Sequence, residues 1–129
     1  LIMTLAYWML LVAIVLPYVF TGFAKFQGGF GPKENHNPRE FLANLDGARK
    51  RAHWAQLNSF EVTPPFAAAL ILAHQIGAAA QGTIDALAIA FVVSRVLYGI
   101  CYITDWANLR SLLWFAGMIC IVVLFVISA

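Results

Sequence analysis

The chain has 129 residues, of which 62% are hydrophobic and only 11% are charged. Soluble domains of this size carry roughly 25% charged residues, so the composition excludes an ordinary soluble domain and predicts one integral membrane domain over residues 1–129. The formal net charge is only +2, and no basic run with interleaved aromatic residues indicates a nucleic-acid partner.

The first predicted helix covers about residues 1–24, which carry no charge and are long enough to cross a hydrocarbon core of about 30 Å. No basic segment precedes it and no Ala-x-Ala pattern follows it, so we expect a retained helix rather than a cleaved signal peptide, kinked at Pro17. The Gly- and Pro-containing residues that follow predict a loop. Within this loop, Asn37 and Pro38 are expected to begin a short interfacial helix that ends at Leu45.

The second predicted helix covers about residues 47–75 and carries polar residues in an otherwise apolar segment. A 3-4-3-4 spacing places the following residues on one helical stripe: Arg51, Trp54, Asn58, Glu61 and Pro65. Polar groups inside a bilayer are costly and are functional candidates by default. The pair Pro64–Pro65 is expected to disturb the backbone hydrogen bonds and bend the helix.

Two further helices are predicted at about residues 83–103 and 109–128. Thr83 is expected to cap the third helix, with Asp85 in its first turn, where the helix dipole favours an anion. A second polar stripe contains Arg95, Tyr98 and Tyr102, and Arg110 with Ser111 lies at the start of the fourth helix. The sequence therefore predicts an all-α, four-helix transmembrane bundle.

The distribution of basic residues predicts the orientation of this multi-pass protein. Basic residues flank the first and third loops but not the second: Lys25, Lys33, Arg39, Arg49, Lys50, Arg51 and Arg110. Loops one and three are thus expected to face the cytoplasm, with both termini on the other side.

Together the two stripes could line a polar cleft that opens toward the cytoplasm. Guanidinium groups would bind carboxylates, and a carboxylate would bind an amine. Structural explanations remain open for the same residues. Glu61 and Arg95 could form an interhelical ion pair, Asn58 an interhelical hydrogen bond, and Arg51 a topology signal, while Tyr98 and Tyr102 could be interfacial aromatic residues. The histidines and cysteines show no metal-ligand or disulfide pattern, and no metal is expected.

The pattern Arg-Ala-x-x-Ala-x-x-Asn-x-x-Glu-x-x-Pro-Pro-Phe in residues 51–66 resembles the second-helix signature of the MAPEG family, the membrane-associated proteins in eicosanoid and glutathione metabolism. The third helix, with Arg95, Tyr98 and Tyr102, and the pair Arg110–Ser111 that follows, also resemble family motifs. The resemblance covers essentially the whole chain and is strongest to the bacterial-type members.

This resemblance implies a homotrimer in a bacterial inner membrane, with glutathione as co-substrate at subunit interfaces and a small hydrophobic substrate arriving from the lipid. It implies a glutathione-binding set of Arg51, Asn58, Glu61, Arg95, Tyr98 and Tyr102. It further implies that Arg110 stabilises the thiolate, with Ser111 as its neighbour in the catalytic pair.

One position departs from the family pattern. Trp54 stands four residues before Asn58, where glutathione-using members carry an Arg. The leading expectation is a glutathione-dependent transferase or peroxidase that acts on hydrophobic electrophiles or lipid hydroperoxides. The alternatives are a non-catalytic scaffold or accessory subunit of a larger membrane complex, or a lipid-binding module that uses the same cleft.

Overall fold

The computed structural model describes residues 2–129, and its architecture is an all-α bundle of four long helices. The long helices are α1 (Leu5–Gln27), α3 (Gly47–Ile76), α4 (Gln81–Ile103) and α5 (Ala107–Ile127), and the α1–α3 connection contains a 3₁₀ turn (Glu34–His36) and the short helix α2 (Pro38–Ala43). The fold class predicted from composition is thus observed. Leu1, which was expected to begin the first helix, lies outside the described residues.

Three of the long helices, α1, α4 and α5, are long and apolar enough to cross a membrane. The chain is therefore a multi-pass integral membrane protein. The fourth long helix, α3, does not meet the same criterion, although the sequence predicted four spans. Its 30 residues include the consecutive cations Arg49, Lys50 and Arg51, and also Glu61. In the fold it packs against α1, α4 and α5.

Small side chains let these helices approach one another closely, as is usual in membrane bundles. Alanines occupy fully buried positions on three of the helices, namely Ala6, Ala13, Ala24, Ala52, Ala55, Ala69, Ala73 and Ala88. Helices α1 and α4 approach closely at Gly99, where an added Cβ atom would lie only 2.0 Å from Cζ of Phe20. Gly99 is therefore required for this packing.

The prolines of α3 do not end the helix, which is continuous through Pro64 and Pro65. Because proline has no backbone N–H, the carbonyl groups of Phe60 and Glu61 lose the partner that a helix normally provides four residues later. The segment carrying Glu61 is therefore electronegative in its backbone as well as in its side chain.

The start of α4 differs from the sequence expectation. Helix α4 begins at Gln81 after Ala80, so Thr83 is not its N-cap residue. Asp85 serves a different helix, because its Oδ1 accepts a hydrogen bond from the backbone N–H of Ala6 at 2.9 Å. Side-chain capping of one helix by another depends on tertiary packing, which sequence spacing alone does not report.

The short helix α2 has Pro38 at its first turn, as predicted, but it ends at Ala43 rather than at Leu45. The side chain of Asn37 makes no capping hydrogen bond, so Asn37 occupies the N-cap position without capping the helix in the usual way.

A polar cluster joins α1, α3 and α4 at the end of the bundle opposite the α1–α3 connection. Nδ1 of His74 lies 2.7 Å from the carbonyl oxygen of Leu70, and its Nε2 lies 2.8 Å from Oγ1 of Thr4. The ring of His74 stacks on Tyr7 with centroids 4.0 Å apart. Gln81 donates to Oδ1 of Asp85 at 2.9 Å and thus extends the cluster to α4.

Candidate functional site

Three adjacent cavities follow the surface between α3, α4 and α5. The mouth cavity has a volume of about 430 Å³ and is lined by Leu45, Asp46, Gly47, Lys50, Arg51, Trp54 and Asp105. The inner cavity has a volume of about 430 Å³ and is lined by Trp54, Leu57, Asn58, Glu61, Tyr98 and Tyr102. The arginine cavity has a volume of about 190 Å³ and is lined by Tyr98, Tyr102, Arg110, Ser111, Trp114 and Phe115. Neighbouring cavities share wall residues. Every predicted site residue except Arg95 lines at least one of the three cavities.

Arg95 lies behind the inner cavity and is only 3% exposed. Its Nη2 donates to Oδ1 of Asn58 at 2.8 Å and approaches Oγ of Ser59 at 3.4 Å. Its guanidinium carbon lies 4.0 Å from the ring centroid of Tyr98, a cation–π distance. Arg95 thus connects α4 to α3 and fixes the orientation of Asn58.

Glu61 does not pair with Arg95, so the interhelical ion pair considered from sequence is not formed. The guanidinium of Arg95 bonds to Asn58 and Ser59 instead. Glu61 is exposed on α3, and within residues 2–129 its carboxylate has neither a hydrogen-bond donor nor a cation in ion-pair contact. The inner cavity therefore presents a carboxylate that is available to a ligand.

Arg51 is engaged with the backbone of the neighbouring helix. Its Nε and Nη2 donate to the carbonyl oxygen of Ile103 at 3.1 and 3.0 Å. Ile103 is the last residue of α4, and such terminal carbonyl groups have no partner within their own helix. The guanidinium of Arg51 therefore caps α4 and lies in the wall of the mouth cavity at the same time.

Unlike Arg51 and Arg95, Arg110 uses none of its side-chain donors within the described residues. Its guanidinium carbon lies 4.3 Å from the ring centroid of Tyr102, and within the described chain its side chain makes no hydrogen bond. Tyr102 in turn meets Tyr98 edge to face, with centroids 5.6 Å apart. The donors of Arg110 are thus free to face a ligand, in a cavity whose other walls are four aromatic side chains and Ser111.

Ser111, the predicted neighbour of Arg110, lies on the same cavity and is exposed. Its hydroxyl donates to the carbonyl oxygen of Ala107 at 3.2 Å within α5. The oxygen of Ser111 keeps its lone pairs for an incoming donor, because the hydroxyl proton is used inside the helix.

Trp54 is the wall that the mouth and inner cavities share. Its side chain is 43% exposed, and its ring lies 6.3 Å from that of Tyr102 at a tilt of 46°. Nζ of Lys50 lies 5.8 Å from the Trp54 centroid. The position thus contributes an aromatic surface and no charge.

Sequence reasoning missed two kinds of residue in this region. Trp114 and Phe115 line the arginine cavity, but in the sequence they are indistinguishable from lipid-facing apolar residues of α5. Ser59 stands next to Asn58 and helps to bind Arg95, and a second polar residue beside Asn58 in an apolar segment was an available signal.

A further cavity of about 430 Å³ lies in the α1–α3 connection beside Lys33, Glu34 and Glu40, and contains none of the predicted site residues. Across residues 2–129, no group of three metal-ligating side chains is found.

Comparison with known sequences gives one family. The profile of the MAPEG family matches residues 5–129, which is nearly the entire chain. The comparison with curated proteins gives no match.

Proposed function

Because the chain belongs to the MAPEG family, we propose that it is a glutathione-dependent membrane transferase or peroxidase that acts on hydrophobic electrophiles or lipid hydroperoxides. The observation that carries this proposal is the free guanidinium of Arg110, which faces a cavity with aromatic walls and makes no hydrogen bond within residues 2–129. A cation that has no hydrogen-bond partner in the protein and lies beside a largely aromatic cavity is suited to an anionic ligand group.

The polar residues of the cavities fit two groups of glutathione, its ammonium group and its thiol. The free carboxylate of Glu61 can accept from an ammonium group, and Asn58 offers its amide, although its Oδ1 is already bonded to Arg95. Arg110 can lie beside the thiol and favour its ionised form, because a nearby guanidinium lowers a thiol pKa. When bound, glutathione would supply the nucleophilic sulfur.

The chain's own residues would then hold and shield this sulfur. Tyr98 and Tyr102 line both the inner and the arginine cavity, so they would contact the ligand on its path between Glu61 and Arg110. Phe115 lines the arginine cavity and is 58% exposed. An apolar substrate is therefore proposed to enter laterally from the lipid past Phe115 and to meet the sulfur at Arg110.

A homotrimer is part of the same proposal. Glu61 and Trp54 are exposed on α3 of the single chain, and an uncovered carboxylate facing lipid is energetically costly. Covering this face with a second copy would enclose the inner cavity. The bias of basic residues toward the α1–α3 and α4–α5 connections supports a cytoplasmic location for the mouth cavity.

A non-catalytic scaffold is the second candidate function. Arg51 and Arg95 are both bonded inside the chain, to Ile103 and to Asn58, so two of the predicted ligand-binding cations serve the bundle in this state. Trp54 also adds no charge to the cleft. These residues would be retained in a protein that keeps the fold without binding a thiol.

Calorimetry of purified, detergent-solubilised protein with glutathione distinguishes the two candidates, with the thiolate absorbance near the ultraviolet edge followed in the same samples. The enzyme proposal expects binding and thiolate formation in the unmodified chain, and binding without thiolate formation in Arg110→Met. Absence of binding at millimolar glutathione would reject a glutathione-dependent activity and is the result expected of the scaffold.

A further inference from the structure

We propose that Trp54 is a specificity-determining residue that sets the cleft to take an amine-bearing thiol of lower negative charge than glutathione. This inference rests on the proposed thiol-dependent function and concerns which thiol the site prefers. It is carried by the charges that the inner and arginine cavities actually present.

The charges available to a ligand in these two cavities are few. Glu61 supplies one free carboxylate, and Arg110 supplies one free guanidinium. Arg95 is the remaining cation nearby, but it is 3% exposed and its Nη2 is bonded to Asn58. The carbonyl groups of Phe60 and Glu61, which lack their helical partners because of Pro64 and Pro65, add further electronegative character beside Glu61.

Glutathione with its thiol ionised carries two carboxylates, one thiolate and one ammonium. If the ammonium meets Glu61 and the thiolate meets Arg110, the lining that this chain gives the inner cavity holds no further free cation for the carboxylate next to the ammonium. A carboxylate left without a partner in a partly dry cavity incurs a desolvation cost. The cavity therefore favours a thiol from which one carboxylate is absent or masked.

Trp54 is the residue that creates this preference. It lines both the inner cavity and the mouth cavity, whereas the nearest cations, Lys50 and Arg51, line the mouth cavity and not the inner one. Lys50 also donates to the carbonyl oxygen of Ala43, and Arg51 to that of Ile103, so neither is free to turn past the indole without giving up a hydrogen bond. An aromatic wall at this point accepts an uncharged ligand group and offers nothing to an anion.

The test compares glutathione with the monoethyl ester of its γ-glutamyl α-carboxyl group, which masks the carboxylate next to the ammonium, by calorimetry on the purified chain. The unmodified chain should bind an ester at least as tightly as glutathione. In Trp54→Arg, the affinity for glutathione relative to that for the ester should rise about tenfold, which is the expected effect of one charge-assisted contact. Trp54→Phe should keep the preference of the unmodified chain.

A matched control is Trp106→Arg, which makes the same substitution at an exposed residue beside α5 that lines none of the three cavities. It should leave the ratio of the two affinities unchanged, so that a general effect of added positive charge is excluded.

An affinity of the unmodified chain for glutathione more than about tenfold higher than its affinity for the ester would overturn the role of Trp54. So would a Trp54→Arg variant that remains folded and has an unchanged affinity ratio. If neither thiol binds to any of these proteins, the proposed function itself fails, and this result is distinct from a reversed preference.

Discussion

Asn58 and Arg95 are joined across α3 and α4 by a hydrogen bond of 2.8 Å from Nη2 to Oδ1, which gives an almost completely buried cation a neutral acceptor although its Nε has no hydrogen-bond partner. The bond explains why an amide stands at residue 58, because a neutral acceptor at this position serves both the helix contact and the wall of the inner cavity.

Asn58→Leu is expected to destabilise the bundle by about 1.5–3 kcal/mol, because it removes a hydrogen bond to a charged group and leaves Arg95 with only the longer hydrogen bond to Ser59 and its contact with the Tyr98 ring. Thermal unfolding in detergent measures the loss. Leu57→Ala, at an exposed neighbouring position, should have a small effect. Equal losses for the two variants would argue against the structural role of the Asn58–Arg95 bond.

Gly99→Ala is expected to cost about 1–3 kcal/mol, because the added Cβ would overlap the ring of Phe20 and force α1 away from α4. Unfolding by heat or denaturant checks the value, and Phe20→Leu should restore part of the loss in the double variant. Gly82→Ala is the control, since its added Cβ would meet nothing within 4 Å. Equal behaviour of the two glycine variants would contradict the close-approach explanation.

Asp85→Ala is expected to cost about 0.5–2 kcal/mol, the range for loss of a side-chain cap, because the N–H of Ala6 would lose its acceptor. The amide of Ala6 should exchange with solvent deuterium faster in this variant. Asp85→Asn keeps an acceptor oxygen and should retain most of the protection. No change in exchange in Asp85→Ala would show that the contact does not cap α1 in solution.

Arg51→Met is expected to destabilise the chain, because the carbonyl oxygen of Ile103 would lose two donors at the end of α4. The expected cost is about 1–3 kcal/mol. Unfolding and thiol binding should be measured together, since the position was also predicted to bind a ligand. A loss of binding with unchanged stability would favour the ligand role over the capping role.

Arg110→Met is expected to move the pH dependence of thiolate formation. A guanidinium favours the thiolate, so bound glutathione in the unmodified chain should ionise below the pH of about 8.5 that is usual for a free cysteine thiol. Without the cation, the midpoint should return to this value or rise above it. Absorbance titration of the bound thiol measures both midpoints. Coincident midpoints would remove Arg110 from the proposed catalytic role.

The polar stripes were predictable from sequence because helical spacing alone determines which residues share a face. The same spacing placed Glu61 near Arg95. It could not decide whether Arg95 would bind Glu61 or Asn58, since this choice depends on side-chain reach across a helix contact. The role of Arg51 as a cap on α4 was not predictable either, because it joins residues 51 and 103 through tertiary packing. The role of Asp85 also depends on tertiary packing. Asp85 was expected to act at the start of α4, but it caps the start of α1 instead.

The polar character of α3 also bears on how the protein is made. Charged residues near the centre of a helix oppose its transfer into lipid by roughly 2.5–3.5 kcal/mol each on biological insertion scales, and α3 carries Glu61 within a segment that does not qualify as a span by its own composition. Helix α1 is synthesised before α3, carries a single charge at Lys25 in its last turn, and packs directly against α3. Biogenesis is therefore expected to deliver α1 and α3 to the bilayer as a hairpin, with the earlier helix carrying the later one into the membrane.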